Sequence, residues 1–129
     1  MTALLWTLCV ALFLFFIVSL CRLFLTFDSI LKRCFRDHPE EWGRDGKATG
    51  FFWYPDGSGW LDGVLARGEL LKSWRATVPS WAEGDQDLVA LFGKLAARRR
   101  ASNLAIGLYL VVLALAFCAT YLRGILTST

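Results

Sequence analysis

The chain has 129 residues, room for one compact unit and not for two independent soluble domains. It is 56% hydrophobic, against roughly 45–50% in ordinary soluble domains, and the excess gathers at its two ends. The formal net charge is +3, with acids and bases interspersed along the middle, which excludes the clustered basic stripe of a nucleic-acid-binding surface.

From Thr2 to Cys21 there are twenty residues without a charge. A helix rises ~1.5 Å per residue and a bilayer's hydrocarbon core is ~30 Å thick, so a helix of this length can cross it. No Lys or Arg precedes the run and no small-x-small site ends it, so it reads as a retained signal anchor rather than a cleaved signal peptide. After Arg22, the apolar positions Leu23, Phe24, Phe27, Ile30, Leu31, Cys34 and Phe35 recur at helical spacing, with Asp28, Lys32, Arg33 and Arg36 on other faces. The first helix is therefore expected to continue beyond the bilayer as an amphipathic stalk. It should break at Asp37-His38-Pro39, because the residue before a proline avoids the α region. Pro39 then suits the first position of a short second helix, with Glu40 and Glu41 against its positive end.

Gly43, Gly46 and Gly50 mark a loop. Four aromatics in a row follow, Phe51 to Tyr54, and then the turn sequence Pro55-Asp56-Gly57-Ser58-Gly59. A second amphipathic helix is expected from Trp60 to about Arg75, with Leu61, Val64, Leu65, Leu71 and Trp74 near one side. Gly63 and Gly68 inside it each cost up to ~1 kcal/mol relative to alanine. Pro79 and Gly84 bound another break. Asp85 suits the N-cap of a last helix, whose stripe Leu88, Leu91, Phe92 and Leu95 leads without interruption into a second uncharged run, Ala101 to Leu122.

Topology follows from charge. Thirteen of the fourteen basic residues lie between the two runs, including Arg22, Lys32, Arg33 and Arg36 at one flank and Lys94, Arg98, Arg99 and Arg100 at the other. Cytoplasmic flanks are the ones enriched in Lys and Arg. The expected layout is thus a transmembrane helix over 2–21, a cytoplasmic segment over 22–100 and a transmembrane helix over 101–122, with both termini outside. The fold class is an all-α membrane protein: two transmembrane helices extended into the cytoplasm, bridged by short amphipathic helices and aromatic loops.

The residue pattern argues against catalysis. His38 is the single histidine, too few for a metal or haem site, and it stands at a helix break. Ser58 lacks the GxSxG setting of a nucleophile elbow, and no phosphate-binding or dinucleotide fingerprint occurs. The paired acids Glu40-Glu41 and Asp85-Gln86-Asp87 fit helix N-termini. Neither uncharged run holds an ionisable group for ion or proton transfer. The four cysteines, Cys9, Cys21, Cys34 and Cys118, have no CxxC spacing and read as free small hydrophobes. Neither a cofactor nor a metal is implied.

What stands out is aromatic density. Five of the six tryptophans lie between the two runs, and aromatics with arginine dominate interface hot spots. Trp53, Tyr54, Trp60 and Trp74 are the candidates for partner docking or for anchoring at the membrane interface. Arg98, Arg99 and Arg100 are the candidates for contact with anionic lipid headgroups.

The order of features resembles the universal stress protein B family of small two-span bacterial inner-membrane proteins. The resemblance rests on the opening Ala3-Leu4-Leu5-Trp6-Thr7-Leu8-Cys9-Val10, on Arg22 and Leu31-Lys32-Arg33, and on Asp37-His38-Pro39-Glu40-Glu41-Trp42. Gly50-Phe51-Phe52 and Asp87-Leu88 leading an Arg-rich helix complete it. It implies a bacterial inner-membrane location and a role in stationary-phase and envelope stress, and it brings no catalytic residue. The expected function is a stress-related or accessory membrane protein acting through partner or lipid binding. The partner would be another protein or a second copy within the membrane, not nucleic acid. The alternative is a small structural subunit of a larger respiratory or photosynthetic membrane complex.

Overall fold

The computed structural model describes residues 2–75 and 77–127. Helix α1 covers Thr2–Asp37, α2 Pro39–Arg44, α3 Trp60–Ser73 and α4 Gln86–Thr127, with a single 3₁₀ turn at Ser80–Ala82 between α3 and α4. No strand occurs among the described residues. Helices α1 and α4, of 36 and 42 residues, are the two that are long and apolar enough to cross a membrane.

Helix boundaries follow the local chemistry. The His38 amide closes α1 on the Cys34 carbonyl at 2.8 Å, and Pro39, which has no N–H to offer, begins α2. The Lys47 amide reaches back to the Trp42 carbonyl at 3.0 Å, a six-to-one bond that ends α2. That bond places Gly46 and Lys47 both at positive φ, and Lys47 is the one non-glycine there among the described residues. At the start of α4, the Asp85 carboxylate accepts the Asp87 and Leu88 amides at 3.1 and 3.2 Å, satisfying two donors that the helix itself leaves open.

The chain divides into two compact units, Arg22–Arg98 and the pair of terminal segments Met1–Cys21 and Arg99–Thr129. In the terminal unit the two segments run antiparallel, with Trp6 edge-on to Phe117 at 5.5 Å and Phe13 tilted on Tyr109 at 5.6 Å. The buried and half-buried positions recur at steps of three and four: Thr2, Leu5, Cys9, Leu12, Phe16 and Ser19, with Leu20, in one segment, and Ser102, Ala105, Tyr109, Val112, Ala116 and Ala119, with Ile106 and Leu113, in the other. Cys9, Ser102, Ala105 and Ala116 are the buried members, so small side chains set the close approach. Gly107 and Ala114, small residues of the same segment as Ala105, are exposed.

The central unit has its own core. Phe27, Ile30, Leu31 and Cys34 of α1 pack with Leu88, Phe92 and Leu95 of α4, joined by Trp42, Ala48, Leu70, Trp74 and Ala82. Fully burying a side chain such as Phe27 contributes about 1.5–3 kcal/mol. Trp74 fills the junction of three helices, 5.2 Å from Phe27 and 5.1 Å from Phe92 between ring centroids. Trp42 meets Phe35 edge-on, and its buried indole N–H donates to the Ala48 carbonyl at 3.0 Å.

Helix α3 turns only part of the expected stripe inward: Trp74 is buried, Leu71 packs on the core and Val64 is half-buried, while Leu61 and Leu65 face out. Leu61 and Leu65 are exposed, and the buried side is Gly63, Leu70 and Trp74, with Ala66 and Leu71 packed alongside. The reason is Gly63. A Cβ there would collide with the Thr49 methyl, so its absence lets α3 lie against the 47–49 backbone, where the Thr49 amide donates to the Gly63 carbonyl.

Candidate functional site

Within the Arg22–Arg98 unit, the aromatic loop is positioned by a residue of α1. Asp28 is buried, and its two carboxylate oxygens accept the backbone amides of Phe51 and Phe52, each at 2.7 Å. Gly50 makes this grip possible, since a Cβ at that position would sit 2.6 Å from Asp28 Oδ1. Arg67 of α3 donates to the Gly50 carbonyl at 2.7 Å and stacks its guanidinium 4.4 Å above the Phe51 ring. Phe51 in turn lies flat on Phe24 of α1 at 3.7 Å. One carboxylate and one guanidinium therefore fix the loop between α1 and α3.

This clamp sorts the aromatics that follow. Trp53 is half-buried against Phe35, 5.5 Å between centroids, and Trp74 belongs to the core. Tyr54 and Trp60 point into the surroundings, 53% and 69% exposed, together with Phe52, Leu61 and Leu65. Of the four aromatics singled out from sequence, two thus build the unit and two stand on its surface.

The basic triplet divides as well. Arg98 reaches from α4 to α1, donating to the Arg22 carbonyl at 2.9 Å and to the Thr26 hydroxyl, so it ties the two helices together. Arg99 is half-buried and Arg100 is exposed. A second tie stands eleven residues along α1, where Arg33 grips Asp85 through two hydrogen bonds of 3.1 Å and also meets Asp87 at 3.2 Å. Desolvation works to raise the Asp85 carboxyl, but the Leu88 amide and the Arg33 guanidinium outweigh it and hold it below the usual carboxylate range.

Asp28 is the functional position that sequence reasoning passed over. It was assigned to a polar face, yet it sits between the buried Phe27 and Ile30 on the packed side of α1. The available signal was an isolated acid within Phe24–Leu31, a stretch otherwise free of charge, followed by a glycine directly before a pair of aromatics.

A cleft of about 170 Å³ opens at the side of α3, lined by Asp45, Leu70, Ser73, Trp74, Thr77, Pro79 and Trp81. Burial and then the Glu41 charge push the Asp45 carboxyl above its ordinary value, with Arg44 opposing them. Cys34, close by in the core, is pushed up to about 12 by burial first and by Asp45 and Glu41 next, so it is a neutral thiol at physiological pH. All four cysteines are free. His38 lies 5.2 Å from the Trp81 ring, and the Ser58 hydroxyl donates to the Pro55 carbonyl at 2.8 Å within its turn. Among the described residues no three His, Cys, Asp or Glu side chains are grouped so as to hold a metal ion.

Comparison with family models, with curated proteins and with solved structures returns no match.

Proposed function

We propose that the chain is a two-span membrane protein that works by binding, with the Arg22–Arg98 unit as its working part. The observation that carries the first half is exposure. Only 11% of the most apolar window in each long helix is covered by the rest of the protein. Helices that form the core of a soluble protein bury such residues, and leaving Leu4, Phe15, Leu110, Val111 and Phe117 in water would expose far more apolar surface than a soluble monomer tolerates. Lipid is the surrounding that suits them, and each helix satisfies its backbone internally as the bilayer requires. In this reading the flanking arginines and lysines keep the middle segment in the cytoplasm and place both termini outside, in a bacterial inner membrane.

The second half rests on the exposed ring set. Tyr54 and Trp60, with Phe52, Leu61 and Leu65, are large apolar groups left exposed instead of being folded inward. Such a surface suits a protein partner or a second copy in the same membrane, and Arg99 and Arg100 suit anionic headgroups. With its likeness to the stress-protein family, this favours an accessory role in envelope stress, without catalysis. The second reading, a structural subunit of a respiratory or photosynthetic complex, draws on the same exposed rings. Photo-crosslinking from position 60 in native membranes, with gentle extraction and native gels, tests both. A reproducible adduct in a small assembly supports the accessory role, and stoichiometric co-migration with a large complex supports the subunit. A chain that stays uncrosslinked and monomeric in every growth phase refutes both.

A further inference from the structure

The cleft beside α3 has the chemistry of a cation site that no cation from the protein fills. It is lined by Trp74, Trp81, Leu70 and Pro79, and its polar lining residues are Asp45, Thr77 and Ser73, whose hydroxyl donates to the Leu70 carbonyl at 3.2 Å. No lysine or arginine lines it. Arg44, the residue next to Asp45, spends its guanidinium on Glu41 at 2.7 Å. Among the described residues, Asp45 has neither an ion pair nor a side-chain hydrogen bond. Burial first and the Glu41 charge next disfavour its bare anion, with only the nearby Arg44 charge opposing them. The volume of about 170 Å³ is far above the ~10–15 Å³ that one water needs, and exposed Ser73 and Thr77 keep the mouth accessible.

We propose that this cleft binds an organic ammonium group, with Asp45 as counter-ion and the Trp74 and Trp81 rings as its walls. Small hard cations such as Mg²⁺ or Ca²⁺ take six or more oxygen ligands and hold their water, so one carboxylate between two indoles suits them poorly. Alkylammonium ions are bulky and weakly hydrated, and aromatic faces attract them. Two sources offer that chemistry: the amine-bearing headgroup of a lipid, and a free amine or quaternary ammonium solute.

The test uses the full chain in a maltoside detergent, which carries no ammonium group. Tetramethylammonium chloride is titrated and its N-methyl protons are followed by saturation-transfer NMR, with sodium chloride matching the ionic strength. A saturable signal is expected, weakened about tenfold in Asp45→Asn, in line with the loss of one charged contact. Trp81→Ala, on the half-exposed wall, should weaken it comparably and gives an independent reading should Asp45→Asn misfold. Tyr121→Ala, at an exposed ring that does not line the cleft, should leave it unchanged. Circular dichroism verifies helix content in each variant. A signal that never saturates, or one equal in wild type and in folded Asp45→Asn or Trp81→Ala, overturns the site. With binding established, nanodiscs assign the source. Phosphatidylethanolamine discs that block the probe, where phosphatidylglycerol discs do not, identify the headgroup, and equal binding in both identifies a free solute. The detergent arm does not depend on the two-span reading, so the two can fail separately.

Discussion

Arg33 holds Asp85 side-on, Nε to Oδ2 and Nη2 to Oδ1 both at 3.1 Å, while Oδ1 also caps the first turn of α4. One carboxylate thus starts a helix and fastens it to another 52 residues earlier in the chain. Its acid dependence has a definite sign. The Asp85 carboxyl is held below the ordinary value of 3.8, so its contribution is fully present above that pH and is lost as pH falls below it toward the folded value. Denaturation of the central unit followed from pH 6 to pH 2.5 should therefore steepen below about pH 4. Asp85→Asn should flatten that part of the curve and lower the plateau above it. An unchanged acid limb in Asp85→Asn would show that the pair contributes nothing.

Asp28 carries more weight because it is buried with two amides on it. Asp28→Ala strands the Phe51 and Phe52 N–H groups, and each buried unpaired donor costs about 1–3 kcal/mol. A loss of about 2–4 kcal/mol is expected in denaturant titrations, with greater protease access to the loop at 50–54. Arg67→Ala should open the same loop more mildly, because its hydrogen bond goes to the Gly50 carbonyl alone.

Two glycines in α3 give opposite expectations from the same substitution. Gly68 has no atom within 4 Å of where a Cβ would stand, so Gly68→Ala should stabilise by up to about 1 kcal/mol through helix propensity. Gly63→Ala gains the same propensity and yet should destabilise, since the new methyl meets Thr49 and the Lys47 carbonyl. Thermal melts of the two variants side by side decide whether close approach or propensity governs α3.

Trp60 and Trp74 separate binding from folding. Trp74→Ala removes a ring wedged between Phe27 and Phe92 and should cost about 3–5 kcal/mol. Trp60→Ala should leave stability within about 0.5 kcal/mol while reducing partner capture in the crosslinking experiment. Equal loss of stability in both would deny that Trp60 is a surface residue.

Helix starts and stops were written in short local signals: Pro39, Asp85 and the glycine-rich stretch after α2 act on backbone within a few residues of themselves, so sequence alone places them. The long helices were equally readable from their uncharged runs. The assembly of the aromatic loop was not. Asp28 meets Phe51 across 23 residues, and a polar side chain turned inward breaks the periodicity rule that finds buried faces. The face of α3 was legible only in part, through Leu71 and Trp74, for a related reason: the pattern counts apolar side chains, whereas Gly63 docks by having none. Arg98, counted as a membrane flank, spends its charge on a carbonyl and a hydroxyl of α1, a choice of partners that charge counting does not distinguish.

The terminal seam repeats every seven residues, or 3.5 per turn, while a straight α-helix turns in 3.6. A pair that kept Cys9 and Phe16 toward Ala116 and Tyr109 along its length would wind left-handed, offsetting a drift of about 20° per heptad. The outward side chains then form slanted ridges instead of straight columns. Lipid chains or a neighbouring helix lying along Phe15 and Val18, or along Val111 and Phe117, would meet a surface with a handed pitch. A single-residue deletion inside either run would rotate every later side chain by about 100°, exchanging the small seam residues for bulky ones.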